Sequence, residues 1–357
     1  MKAKILELLR RKGDYVSGQE LCTILQVSRT AIWKAIQSLQ KEGYHIEAVR
    51  NRGYLLIEDE ESSGSDNNGL AAACDIYSKN EISSRLNPES GVNEVFFFDT
   101  IDSTNSECAR RAEAGAPGGL LIVSDDQSLG RGRRGRTWIS PSGCNVYFSY
   151  MCRPDISPDK APMLTLLMAL AVCMGMEKIL TGKVIKTGGR TAKAVRSAEC
   201  PMIKWPNDIV IKGKKCCGML TEMSCEADYV RHVVIGVGIN VRHREFDPEI
   251  AANAISLDDA WNMKVKRSLL VAGVMNEFGP LLKQFEEEGD LSFVRVPYLD
   301  RLVNAGKQVR VLDPKGEYNG KARGINERGE LLVETGDGKV REVNSGEVSV
   351  RGIYGYV

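Results

Sequence analysis

The stretch most suited to chemistry is Gln127-Ser128-Leu129-Gly130-Arg131-Gly132-Arg133-Arg134-Gly135-Arg136-Thr137-Trp138, where three glycines and four arginines fill positions 130–136 ahead of an indole. Glycine permits positive φ and close backbone approach, while arginine offers planar donors for a carboxylate or a phosphate. Standing alone, such a loop reads as a solvated turn or a nucleic-acid contact. Three further constellations accompany it. Asp102-Ser103-Thr104-Asn105 lies between a strand-like and a helical run, where its hydroxyls and amide either cap the helix or grip a polar ligand; taken alone it reads as a cap. Ile203-Lys204-Trp205-Pro206-Asn207-Asp208 is a rigid aromatic turn with a lysine at its mouth, followed by strand-like Ile209 to Ile211. Val234 to Val241 is an apolar strand in which Gly236 and Gly238 mark places where something must approach the backbone. This Gly-x-Gly is not a dinucleotide fingerprint, because the third glycine and the following helix are absent.

In this order, over most of Phe96 to Val241, the four motifs resemble the biotin protein ligases, and the arginine loop together with Lys-Trp-Pro-Asn-Asp is the most specific part of the match. The resemblance implies two steps. Biotin's carboxylate attacks the α-phosphorus of ATP to give biotinyl-5′-adenylate and pyrophosphate, and a lysine amine of a carrier protein then attacks the adenylate. Bringing two anions together calls for fixed cations, so Arg131, Arg133 and Lys204 are the expected catalytic groups, with Mg²⁺ on the phosphates. Matched residue by residue, the family pattern implies that Ser103, Thr104, Asn105 and Gln127 hold the biotin head group. Arg131, Gly132 and Arg133 would cover its carboxylate and the adenylate phosphate, with Lys204 bridging them. Trp138 and Asn240 are the implied ATP contacts. The mixed anhydride needs shielding from water, so a loop ordered on filling is expected to act as a lid.

The elements that must carry these residues are legible in part. Ile5, Leu8 and Leu9 recur at helical spacing before Gly13; Ser17 to Glu20 is a capping box opening a second helix with Leu21, Ile24 and Leu25 inward. Ser28 caps a third, with Ala31, Ile32, Ala35, Ile36 and Leu39 as its apolar stripe and Gly43 as its end. Tyr44 to Val49 and Gly53 to Ile57 flank the basic tip Arg50-Asn51-Arg52. This is a winged helix-turn-helix. The whole chain is balanced at 48 basic against 47 acidic residues, whereas residues 1–57 hold ten Lys/Arg and five Asp/Glu, a local +5 suited to DNA. Ser28, Arg29, Thr30, Trp33, Lys34 and Gln37 would face the major groove, and Arg50 and Arg52 the backbone or minor groove. A small helical module that binds protein is the rival reading. The winged helix selects the bifunctional branch of the family, which also represses biotin-synthesis genes with the adenylate as corepressor and is expected to dimerise on operator DNA.

An acidic, then Ser/Gly/Asn-rich stretch from Glu58 to Gly69 marks a linker. The expected domains are a winged helix at 1–60, a linker at 61–80, a mixed α/β catalytic domain at 81–304 and a small β-barrel at 305–357. The barrel rests on strand-like runs Gln308 to Leu312, Leu331 to Glu334, Val340 to Val343 and Val348 to Arg351. The fold class is thus α+β, the resemblance implying a centre like the class II aminoacyl-tRNA synthetase and biotin ligase fold and an SH3-like tail. Thr187 to Arg196 departs from the family pattern as an extra basic segment, read as a solvent loop. Ten cysteines without a C-x-x-C pair, beside three histidines, give no zinc-type set. The apolar run Met163 to Met176 falls short of a bilayer span and reads as a buried helix of a cytoplasmic protein. A lipoate-type ligase and a ligand-sensing transcription factor without ligase activity are the alternative functions.

Overall fold

The computed structural model describes residues 1–58, 75–186, 199–313, 316–344 and 349–352. Most of the linker and the basic segment 187–196 lie outside the described residues, as does 345–348. Two compact units emerge, residues 1–86 with 266–272 and residues 87–265 with 273–357.

In the first unit, α1 (Lys2–Lys12), α2 (Gly18–Leu25) and α3 (Arg29–Lys41) precede a hairpin of β1 (Ile46–Val49) and β2 (Gly53–Leu56). The stops and starts follow the local chemistry. Gly13 ends α1 at φ 62°, and Ser17 and Ser28 accept from the backbone N–H of Glu20 and Ala31 to start α2 and α3. Ile5, Leu9, Leu21, Ile32, Ile36 and Leu39 meet in one core. Ile24 does not join it: 46% exposed, it lies on the outer side of α2, where the inward stripe is Leu21 and partly Leu25. A short α4 (Lys79–Ser83) packs on α1.

The second unit is built on a seven-stranded sheet in the order β3 (Glu94–Ile101), β4 (Leu120–Gln127), β5 (Val146–Cys152), β9 (Tyr229–Ile239), β8 (Lys214–Glu226), β7 (Asp208–Ile211), β6 (Met202–Lys204). β3 and β4 are parallel, joined through α5 (Thr104–Glu113), and the other pairs are antiparallel. β5 is buried at every position and is apolar apart from Ser149 and the tyrosine hydroxyls, without the alternation of a one-faced strand. On one face Cys108 and Ala112 of α5 pack on Ile122, Met151 and Val234. α6 (Met163–Lys186) lies against β6, β7, β8 and β9. At 24 residues α6 is longer than the apolar run suggested, long and apolar enough by composition to cross a membrane. Its side chains from Leu164 to Cys173 are buried in the core apart from a marginal Thr165, so the helix serves as a core helix.

After β9 come α7 (Pro248–Ala251), α8 (Leu257–Trp261), α9 (Arg267–Glu288) and α10 (Arg295–Leu299). The chain ends in a five-stranded antiparallel sheet ordered β13 (Val340–Val343), β12 (Leu331–Glu334), β11 (Tyr318–Ile325), β10 (Gln308–Leu312), β14 (Ser349–Gly352). β11, with its Asn-Gly-Lys-Ala-Arg-Gly centre, carries no strand signal in sequence; it takes its place by pairing on both sides.

Candidate functional site

A cavity of about 540 Å³ opens over the β8 and β9 strands, roofed by residues 131–139. Its floor explains the paired glycines. A Cβ at Gly236 would sit 2.0 Å from Asn105 Oδ1, and one at Gly238 2.5 Å from Trp138 Nε1. Each glycine is the place where one side chain rests on the strand. The indole N–H of Trp138, pressed on Gly238, has no acceptor among the described residues.

At one end Ser103, Thr104 and Asn105 start α5, all three buried. Ser103 makes no side-chain cap bond, so the cap reading of this tetrad fails. Asp102 instead turns outward to Arg110, whose guanidinium holds its carboxyl down at about 2. Inside, Gln127 Oε1 accepts from Thr104 N–H at 2.9 Å, and Ser149 donates to Asn105 Oδ1 at 2.5 Å. Asn105 Nδ2 donates to Glu222 Oε2 at 2.8 Å and to Leu220 O at 3.2 Å. A buried amide or hydroxyl left unpaired costs about 1–3 kcal/mol, and this network supplies partners that hold each rotamer. The result is a neutral, polar, pre-oriented pocket.

The arginine loop is a small hairpin. Gly132 N–H donates to Arg136 O at 2.7 Å and Trp138 N–H to Gly130 O at 2.9 Å, and the chain turns at Arg134 (φ 59°) and Gly135 (φ 71°). Gly130 is required because a Cβ there would lie 2.3 Å from Trp138 O. Arg131 Nη2 donates to Glu222 Oε2 and Arg133 Nη1 to Asn207 Oδ1, both at 2.8 Å. Burial lowers the pKa of Arg133, with Asp208 offsetting part of the effect. A guanidinium stripped of water in this way is suited to an incoming anion.

Nine of the ten ligase-site residues read from sequence line the cavity: Ser103, Thr104, Asn105, Gln127, Arg131, Gly132, Arg133, Trp138 and Asn240. The tenth, Lys204, is buried at the end of β6 in register with Asp208 and is not part of the lining. The lysine that does line it is Lys215, with Nζ 2.6 Å from Asp208 Oδ1 and 5.4 Å from the Trp138 ring centroid. A β-bulge brings it there. Ile209 pairs with Cys217 but Val210 with Lys215, so Cys216 is the extra residue. Both cysteines turn inward, and Lys215 lines the same cavity as Gly218 and Leu220. The adjacent cysteines were the one sequence signal for this. The turn Trp205-Pro206, a cis bond, is pinned from below, Trp205 Nε1 donating to Gly329 O at 3.1 Å and its N–H to Asn304 Oδ1 at 3.0 Å. Arg244, Asp247, Ile250 and Asn253 also line the cavity and carry no pattern in sequence.

In the first unit, Arg29, Thr30, Trp33, Lys34 and Gln37 are exposed on α3, spaced so that they share one helical face, with Ser28 at its cap. Arg29 donates to Gln19 of α2, and Trp33 is 53% exposed. At the hairpin tip Arg50 is exposed, and Arg52 lies 4.1 Å over the Tyr15 ring.

Comparison with known proteins matches residues 97–240 to the Biotin/lipoate A/B protein ligase family, residues 2–55 to an HTH domain and residues 305–351 to the Biotin protein ligase C terminal domain. The chain is 34% identical to the bifunctional ligase/repressor BirA of Bacillus subtilis over 98% of both proteins. It is 30% identical to that of Escherichia coli K12 over 98% of this chain and 96% of the other. Among solved structures, a biotin protein ligase from Aquifex aeolicus in complex with biotin and ATP superposes with a TM-score of 0.59 at 28% identity, covering 73% of this chain and 99% of that one.

Proposed function

The chain belongs to the biotin protein ligases, in their bifunctional ligase/repressor branch, and we propose that its cavity makes biotinyl-5′-adenylate from biotin and ATP and passes the biotin to a lysine of a carrier protein. The observation that carries this is the polarity of one cavity: buried neutral hydrogen-bonding groups at one end, and Arg131, Arg133 and Lys215 beside them under a Gly/Arg hairpin.

The neutral end, Ser103, Thr104, Asn105 and Gln127, suits biotin's uncharged ureido group, which offers donors and an acceptor at fixed spacing. The valeryl carboxylate then points toward the cations. Its oxygen attacks the α-phosphorus of ATP, the bond to the β-phosphate oxygen breaks, and pyrophosphate leaves. Lys215 and Arg133 offset the charge that accumulates between carboxylate and phosphate; Arg131 and Gly132 cover the acid from above. Lys204, at the end of β6 in register with Asp208, bridges the carboxylate and the α-phosphate, and Asp208 holds Lys215 in place. Trp138 walls the nucleotide side and Asn240 lies beside it, in the same lining. Among the described residues no group of three or more acids, histidines or cysteines is placed to hold a metal. Mg²⁺ would accompany the ATP phosphates and neutralise part of their charge when bound. In the second step the neutral amine of the carrier lysine attacks the acyl carbon, AMP departs, and the amine's proton goes to solvent.

The carrier is the biotin carboxyl carrier protein or domain of a biotin-dependent carboxylase. The C-terminal sheet supports the ligase site through the Trp205 contact and supplies a surface for ATP and acceptor. Repression is the second activity: α3 and the wing bind operator DNA, and a homodimer filled with adenylate spans two half-sites, since one winged helix reads too little sequence. The domain scheme of winged helix, linker, ligase and barrel serves this division of labour in the cytoplasm, where ATP and the carboxylases are. Biotin-dependent exchange of pyrophosphate into ATP tests the reading. Exchange with biotin supports it; exchange with lipoate instead indicates a lipoate-type ligase, and no exchange with either leaves a ligand sensor.

A further inference from the structure

Glu222 lies outside the cavity lining, yet its Oε2 accepts two hydrogen bonds at 2.8 Å, from Asn105 Nδ2 and from Arg131 Nη2. The first donor belongs to the buried polar end of the cavity and the second to the hairpin over it. From Asn105 the contacts continue beneath the pocket. Ser149 donates to Asn105 Oδ1 and lies 2.8 Å from Thr104 Oγ1, which is 3.1 Å from Gln127 Oε1. Gln127 Nε2 donates to Ser140 Oγ, Ser140 donates to Trp138 O, and Trp138 N–H returns to Gly130 O. A continuous path thus leaves the hairpin through Arg131 and re-enters it at Trp138. Glu222 is the one carboxylate along that path, and a carboxylate that accepts from a guanidinium makes the stronger kind of hydrogen bond.

We propose that Glu222 is a positioning residue that sets the biotin end of the site. It fixes the orientation of the Asn105 amide and ties the first limb of the hairpin, residues 130–132, to β8. The lid then opens at its tip, residues 133–135, and keeps its root in place. This rests on the ligase reading, because the groups that Glu222 orients are those assigned to biotin. Glu222→Gln keeps the shape of the side chain but offers one acceptor oxygen where the carboxylate offers two, and it removes the charge opposite Arg131. The pair is partly exposed, which limits its worth, so the Michaelis constant for biotin should rise about three- to tenfold. Saturating biotin reseats the same groups, so the maximal rate of adenylate formation should stay within about twofold.

The experiment measures adenylate formation by wild type, Glu222→Gln, Arg131→Gln and the double variant at varied biotin, with a thermal melt of each. The expected result is a raised KM for biotin in both single variants and a rise in the double variant smaller than the product of the two, because the Glu222–Arg131 contact is lost in each single variant. Glu222→Asp, which keeps the charge and shortens the reach, should fold and give an intermediate KM even if the amide variant does not fold. A KM for biotin equal to wild type in Glu222→Gln, or in Glu222→Asp should the amide variant not fold, overturns the proposal. So do effects that multiply in the double variant, and so does a fall in maximal rate with KM unchanged. A wild type that forms no adenylate overturns the ligase reading and this proposal together, and is recognised before any variant is compared.

Discussion

Replacing Gly238 by alanine adds one methyl group at the place where Trp138 rests on β9. The new Cβ would stand 2.5 Å from Nε1, 2.6 Å from Cε2 and 2.9 Å from Cζ2, whereas ordinary contact begins at 3.4 Å. The indole must therefore retreat by about 1 Å, since β9 is held on both sides by β5 and β8. Overpacking of this kind costs about 1–3 kcal/mol in stability. If Trp138 walls the nucleotide, the same shift withdraws a stacking face worth about 1–3 kcal/mol per base, which is roughly a 5- to 150-fold rise in KM for ATP. Gly236→Ala is the matched control. Its Cβ would meet Asn105 Oδ1 at 2.0 Å, so it should raise KM for biotin and leave that for ATP near wild type. The assay is pyrophosphate release with each substrate varied in turn, alongside a melt without ligands. A melt that falls in Gly238→Ala while KM for ATP stays unchanged would refute the assignment of Trp138, and equal effects of both variants on both substrates would refute the division of the cavity.

Arg133→Gly removes the tie to Asn207 and a cation at the adenylate, so adenylate should dissociate about 10- to 150-fold faster and label lysines of bystander proteins; labelling confined to the carrier domain would argue against the lid. Lys204→Gln and Lys215→Gln should each lower the maximal rate of adenylate formation by about 10²- to 10³-fold, the cost of losing one fixed donor to developing charge; a wild-type rate in either variant would remove that lysine from the charge-neutralising set. The carboxyl of Asp102, held at about 2 by Arg110, contributes stability that is present above the unfolded value near 4 and lost as pH falls toward 2. Half-exposed as that pair is, Asp102→Asn should lower stability by no more than about 1 kcal/mol at pH 7 and match wild type near pH 2, as chemical denaturation across pH would report. Lys34→Ala should weaken operator binding and reduce the slope of log affinity against log salt by about 1, which a salt titration of binding checks.

Much of this was legible in sequence because it depends on neighbours along the chain. Gly13, Ser17, Ser28 and the stripe Ile32, Ala35, Ile36, Leu39 determine the winged helix locally, and the run Ser103-Thr104-Asn105 and the hairpin announce themselves by residue type. The misplaced residues are those whose position is decided by distant partners. Lys215 lines the cavity through a bulge that appears only when β8 is paired with β7, so nothing in its own stretch of sequence places it there. Ser103 looks like a cap but is buried in a pocket that Ser149 and Gln127 complete from other strands. Gly236 and Gly238 showed that something approaches β9; only the folded chain identifies Asn105 and Trp138. Ile24 fits a helical stripe by spacing and lies outside it, because α2 is short and half its surface faces away from the core.

If one cavity joins biotin to AMP and keeps the product under the hairpin, the adenylate must travel with the protein. Purified protein given biotin, Mg²⁺ and ATP labelled at the α-phosphate, then passed through a desalting column, tests it directly. Labelled biotinyl-adenylate should elute with the protein and be converted to free AMP, with biotin on lysine, when a carrier domain is added. Label that stays in ATP, or that appears as free AMP before any carrier is present, would contradict it.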